Sequence, residues 1–92
     1  MSAERQTCTI VNKRGLHARA SAKFVGAVSA LPEGVAVRVA KDGNEAAGGS
    51  ILGLMMLGAA KGDDVELIVE GDNAPAVLAD LVAMVEDGFG EE

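Results

Sequence analysis

Val35-Ala36-Val37-Arg38-Val39-Ala40-Lys41-Asp42-Gly43-Asn44 places a valine at every second position and then arrives at Asp-Gly. A period of two is that of a strand with one buried face, so the three valines point inward. Asp-Gly suits the left-handed central positions of a type I′ turn, the turn whose twist matches a hairpin. The chain therefore doubles back into Glu45-Ala46-Ala47, a short strand with little side-chain specification of its own. An antiparallel pair with one apolar face needs further strands beside it and a cover above it.

Both are visible on either side. Val65-Glu66-Leu67-Ile68-Val69-Glu70 is the clearest strand, with Val65, Leu67 and Val69 inward. Thr7-Cys8-Thr9-Ile10-Val11 is a β-branched run with Cys8 and Ile10 on one face. A helix starting close to His17 carries Phe24, Val28 and Leu31 at i, i+4 and i+7, with Ala20 and Ala27 on the same side. Pro32-Glu33-Gly34 ends it. After Gly48-Gly49, Ser50 is placed to cap a short helix over Ile51–Leu57, with Leu54 and Leu57 as its core residues. Asp72-Asn73-Ala74-Pro75 reads as a helix start, and Val77, Leu78, Leu81, Val82 and Val85 form the buried stripe of a last helix ending near Gly88. The order is βαββαβα. It predicts an α+β fold, one four-stranded antiparallel sheet with three helices on a single face.

Ninety-two residues suffice for one domain, 1–92, with a modest core. A net charge of −6 and only two aromatic residues, Phe24 and Phe89, argue against nucleic acid as a partner. Met1–Thr9 is too polar for a secretory signal, and the apolar run Ile51–Ala60 is too short for a membrane span. Cys8 has no second cysteine to pair with and is expected as a small core residue. No metal site or cofactor is expected, and the reading is a cytoplasmic protein.

Charge is unevenly placed. From Arg5 to Pro32 there is no Asp or Glu, while Arg5, Lys13, Arg14, Arg19 and Lys23 contribute five positive charges. The rest is strongly acidic. The single histidine, His17, lies within this basic stretch, at the mouth of the first helix. Helix N-termini carry unpaired N–H groups and partial positive charge, which disfavour imidazolium and attract anions. A neutral ring has a lone pair free for nucleophilic attack, and the Ala18 and Arg19 amides with the Arg19 guanidinium suit phosphate oxygens. Reversible phosphoryl transfer onto His17 follows. A solvated, functionless histidine is the plain alternative, and Lys13 and Arg14 are read as solvated turn residues.

Gly15-Leu16-His17-Ala18-Arg19 with Ala22-Lys23-Phe24-Val25 resembles the active-site signature of the HPr phosphocarriers of the bacterial phosphoenolpyruvate-dependent phosphotransferase system. Ser50-Ile51-Leu52-Gly53-Leu54-Met55-Met56-Leu57-Gly58 resembles that family's second signature. The resemblance implies an open-faced β-sandwich and phosphorylation of His17 on Nδ1 by phospho-enzyme I. It also implies transfer onward to an EIIA-type acceptor, with Arg19 neutralising the phosphate. By the same resemblance Ser50 is a target of HPr kinase/phosphorylase, and Ile51, Leu52 and Met55, with Ala22, form an apolar docking patch on a monomeric protein. Ala20 stands where the family often has proline, and Gly26, Ser29, Gly49 and Gly53 stand where sugar-uptake members often carry lysine. With Lys13-Arg14 before the first signature, Ala20-Ser21 within it and Gly53-Leu54-Met55-Met56-Leu57 in the second, the chain resembles the nitrogen-related, regulatory branch, including alphaproteobacterial forms. A regulatory binding module that controls partners without relaying phosphate stays open as the other reading.

Overall fold

The computed structural model describes residues 3–91; Met1, Ser2 and Glu92, the ends of the expected 1–92 domain, lie outside the described residues. The strands are β1 (Glu4–Thr9), β2 (Ala36–Lys41), β3 (Asn44–Ala47) and β4 (Asp64–Glu70). The helices are α1 (Ala18–Ser29), α2 (Ile51–Met56) and α3 (Ala74–Glu86), and a single 3₁₀ turn, Gly88–Gly90, follows α3. The strands form one sheet in the order β1-β4-β2-β3, every pairing antiparallel. This is the expected α+β open-faced sandwich. The hairpin closes as the alternation requires, with Asp42 and Gly43 both at positive φ, 52° and 84°.

Strand β4 lies inside the sheet, between β1 and β2, and its apolar pattern makes it the most buried of the four strands. Val65, Leu67 and Val69 face Phe24 of α1, Leu54 of α2 and the Val77, Leu78, Leu81, Val82 and Val85 stripe of α3 in one continuous core. Ile68 points to the opposite face and is also buried. Its register partners there are Arg5 on β1 and Arg38 on β2, long side chains whose stems shield an apolar neighbour while their charges reach Glu66, Glu45 and Glu70. Cys8 lies in the core, where burial and then the Glu86 and Asp64 carboxylates push its thiol up to about 11.

Several boundaries differ from expectation. Strand β1 covers Glu4–Thr9 rather than residues 7–11, because the seven residues of β4 offer backbone partners to polar Glu4, Arg5 and Gln6. Ile10 is buried beyond the strand, its amide donating to the Asp63 carbonyl and its carbonyl accepting from the Gly62 amide. Strand β2 is displaced by one residue to Ala36–Lys41, and β3 gains Asn44. Asn73 caps α3, but through a left-handed backbone (φ 59°) rather than a side-chain hydrogen bond. Helix α3 ends at Glu86, and the turn after it is a feature the periodicity did not anticipate.

That turn has left-handed backbone at three successive residues, Gly88, Phe89 and Gly90 (φ 68°, 58° and 74°). Two glycines bear this readily; Phe89 does so with its ring 3% exposed in the core. The ring is thus the anchor of the segment. Truncating it in Phe89→Ala should cost about 3–5 kcal/mol, read as a lower urea midpoint with an unchanged slope.

Candidate functional site

The loop between β1 and α1 is fixed before the helix begins. Asn12 is buried, its Nδ2 donating to the Gly15 carbonyl at 2.8 Å while its own carbonyl accepts from the Gly15 amide at 3.2 Å. Gly15 is at φ 62°, and a Cβ there would collide with the Ala59 carbonyl, so glycine is required twice over. Leu16 is buried and its amide donates to that same carbonyl at 3.0 Å. The Ser21 hydroxyl then donates to the Leu16 carbonyl at 3.2 Å. Each bond removes freedom from the residue that follows, His17.

His17 is the N-cap of α1, with extended backbone (φ −75°, ψ −177°) and its carbonyl taking the Ser21 amide at 2.9 Å. Its ring does the work usually done by a serine or aspartate: Nδ1 accepts the Arg19 backbone N–H at 3.2 Å. Ala18, also expected at the site, is exposed and opens the helix, so its amide is one of the N–H groups that no helical carbonyl reaches. The Arg19 side chain is exposed and makes no hydrogen bond or ion pair among the described residues. With Lys13, Arg14, Lys23, Gly90 and Glu91 it lines an open hollow of about 420 Å³. Lys13 and Arg14 are exposed turn residues, as expected, and they share one cationic surface with Arg19.

The larger correction is an acid. The acid-free stretch of sequence is not acid-free in space, because the left-handed turn after α3 delivers Glu91 to the ring. Glu91 Oε2 lies 2.8 Å from His17 Nε2, and Oε1 accepts from Asn12 Nδ2 at 3.0 Å. The side chains of His17 and Glu91 are only 17% and 15% exposed. Lys23 secures the same segment, its Nζ donating to the Phe89 carbonyl at 2.7 Å. Burial pushes the Glu91 carboxyl up, but the hydrogen bonds from Asn12 and His17 and the charges of His17 and Lys23 outweigh it, and the net shift is downward. Neither Glu91 nor Asn12 was picked out from the sequence; Gly-Phe-Gly before Glu91 was the available signal.

Ser50 caps α2 as expected, its Oγ accepting the Gly53 amide at 3.0 Å. Helix α2 packs on α1. Leu54 is fully buried, whereas Leu57, expected in the core, is only partly buried because α2 ends at Met56 and leaves Leu57 as its C-cap. Ala22, Ile51, Leu52 and Met55 are exposed, as the docking reading needs. Met56, not singled out beforehand, is the most exposed of the large apolar residues at 77%. Among the described residues no group of acids, histidine and cysteine is arranged to hold a metal, and no helix is long and apolar enough to cross a membrane.

Residues 4–87 match the family described as PTS HPr component phosphorylation site. The chain belongs to the HPr family. It is 43% identical over 84 residues to the phosphocarrier protein HPr of Pseudomonas aeruginosa, covering 90% of this chain and 91% of that one. It is 34% identical over 88 residues to the phosphocarrier protein NPr of Escherichia coli K12, covering 96% and 97%. Among solved structures, HPr-C-His of Thermoanaerobacter tengcongensis superposes with a TM-score of 0.88 at 39% identity, covering 97% of this chain and 98% of that one. Relatives named HPr and NPr thus both span nearly all of this HPr-family chain. The family match ends at residue 87, before the segment that carries Glu91.

Two measurements test this geometry. A ¹³C titration of the Glu91 carboxyl should give a midpoint below the ordinary glutamate value, rising in Asn12→Ala. Because the folded-state pKa is the lower one, the associated stability is complete above the unfolded-state value and is lost as pH falls through the folded-state value. Ser50→Ala should lower unfolding stability by roughly 1 kcal/mol through loss of the cap, while Ser50→Asp retains most of it.

Proposed function

We propose that this HPr-family protein is a phosphoryl carrier in a phosphotransferase relay, taking the group onto His17 Nδ1 from phospho-enzyme I and passing it to an EIIA-type acceptor. The observation that carries the reading is the hydrogen bond from the Arg19 amide to Nδ1. A backbone N–H can only donate, so Nδ1 holds a lone pair. A nucleophilic nitrogen therefore faces a helix N-terminus, the place where a phosphate is best received.

In the transfer the Nδ1 lone pair attacks phosphorus from the side opposite the donor atom. The N–P bond forms as the bond from phosphorus to the donor breaks, and its electron pair leaves with the donor. The Arg19 amide, released from Nδ1, turns to a phosphate oxygen, joined by the Ala18 amide and the exposed Arg19 guanidinium. Delivery is the same step reversed, with the acceptor's nucleophile in line. The protein is consumed and regenerated as a substrate, so it is a carrier and not a catalyst, and the relay runs in the cytoplasm between soluble partners and a monomeric carrier.

Ala22, Ile51, Leu52 and Met55 supply the adaptable apolar surface on which enzyme I and EIIA-type partners dock in turn. Phosphorylation of Ser50 by an HPr kinase/phosphorylase would put two negative charges at the start of α2 beside that surface and repel acidic partners. The exposed patch also supports a second reading, a regulatory module whose contacts control partner proteins without net relay.

Incubation with enzyme I and phosphoenolpyruvate should add one acid-labile phosphate, seen by mass spectrometry, and His17→Ala should add none. A protein that stays unmodified beside a competent enzyme I sinks the relay and leaves the regulatory module. For Ser50, HPr kinase and ATP should add an acid-stable phosphate that Ser50→Ala abolishes.

A further inference from the structure

The contacts around His17 form one chain of hydrogen bonds whose polarity is locked at both ends by backbone. At one end the Gly15 carbonyl can only accept, so the group of Asn12 that meets it at 2.8 Å is its amino group. The same amino group, also a donor, meets Glu91 Oε1 at 3.0 Å, which must accept. At the other end the Arg19 amide can only donate, so His17 Nδ1 must accept. The neutral ring then has its one proton on Nε2, which donates to Glu91 Oε2 at 2.8 Å. Both atoms of the group at position 91 have to be acceptors. Among ordinary side chains only a carboxylate offers that.

We infer that Glu91 is a positioning residue: its carboxylate holds the His17 ring proton on Nε2 and balances the positive charge the ring gains when Nδ1 takes up a phosphoryl group. The inference rests on the carrier reading above. In atomic terms the new bond uses the Nδ1 lone pair, the Nε2 proton stays where it is, and the ring becomes an N-phosphorylated imidazolium. Its charge is delocalised over both nitrogens, and the carboxylate at Nε2 meets half of it directly. No proton has to leave during uptake, and none has to return during delivery.

The delivery of Glu91 to this position is built into the fold rather than left to a free side chain. Phe89 is buried in the core, Lys23 holds the Phe89 carbonyl, and Gly88 and Gly90 allow the left-handed turn on either side. The pair is largely shielded, with 17% and 15% of the two side chains exposed, so the hydrogen bond is stronger than a surface ion pair.

Glu91→Gln tests this with little change of shape. Glutamine can accept from Asn12 only by turning its amino group on Nε2, where it meets another donor. Ring ¹⁵N shifts of the unmodified protein, recorded with His17 neutral, should show a protonated Nε2 and a bare Nδ1 in the wild type. In Glu91→Gln the two shifts should move toward each other. Uptake of phosphate from enzyme I and phosphoenolpyruvate should slow by roughly tenfold to a hundredfold, the range of one charge-assisted hydrogen bond. Glu91→Ala, free of the donor clash, should slow uptake similarly with a smaller change in the ring shifts. Unchanged ring shifts together with unchanged or faster uptake in Glu91→Gln would overturn the assignment while leaving the carrier reading intact. A wild type that takes up no phosphate would sink the carrier reading, and the ring shifts, measured without phosphate, would still decide whether Glu91 sets the tautomer.

Discussion

One backbone N–H determines how this site is arranged. The Arg19 amide would be an orphaned donor at the start of α1, and the His17 ring accepts it. A capping histidine is bound by both requirements at once: its backbone must be extended to start the helix, and its ring must fold back over the first turn. The bonds upstream serve that end. Asn12 fixes Gly15, the Ala59 carbonyl receives Leu16, and Ser21 ties the Leu16 carbonyl to the helix. Without them the cap would be one rotamer among several, since a single neutral hydrogen bond contributes only about 1 kcal/mol. With them the ring has one address.

The two N-caps among the described residues that act through a side chain use the same physics for different exposures. His17 at α1 is mostly covered and paired with Glu91, and Ser50 at α2 is partly buried next to exposed Ile51 and Leu52. Helices α1 and α2 pack together, so a charge placed on either cap is felt on a shared face. Arg19 and Lys23 of α1 line the cationic hollow with Lys13 and Arg14, and α2 exposes Leu52, Met55 and Met56. On the proposed docking reading, the cations steer an acidic partner at long range and the flexible apolar side chains accommodate it on contact. With Gly26, Ser29, Gly49 and Gly53 in place of lysine, that reading confines the steering charge to the His17 end.

Much of this was legible in the sequence for a definite reason. Alternating valines, the Asp-Gly turn and the α3 stripe are local patterns whose period already states which side is buried. His17, Ser50 and Arg19 were legible because caps and helix-start charges are also local. Glu91 was not, since the Gly-Phe-Gly before it signals a turn without saying which distant residue the turn will meet. Its placement depends on Phe89 finding the core and on three consecutive left-handed residues, and one of these is a phenylalanine that periodicity would never put there. Strand β1 was misplaced for a related reason: polar Glu4, Arg5 and Gln6 become strand only because β4 is long enough to pair with them. Long-range backbone partners leave no local trace.

A carrier differs from a binding protein in that it has to let go. Each well-made charge-assisted hydrogen bond adds roughly 1.5–3 kcal/mol, and two in excess would shift the exchange equilibrium by orders of magnitude toward a trapped phosphate. The geometry avoids that excess by exchange rather than by weakness. The Arg19 amide is satisfied before phosphate arrives, by Nδ1, and on the proposed reading is satisfied afterwards by a phosphate oxygen, so its net contribution is the difference between two bonds. On the same reading Glu91, paired with His17 and Asn12 in the free protein, stays paired afterwards. The Ala18 amide and the Arg19 guanidinium, both exposed, add contacts that the free protein lacks, and water screens them. A site whose central donor merely changes partner, and whose added contacts are exposed to water, can hold a phosphoryl group in position without holding it tightly, which is what reversible carriage requires.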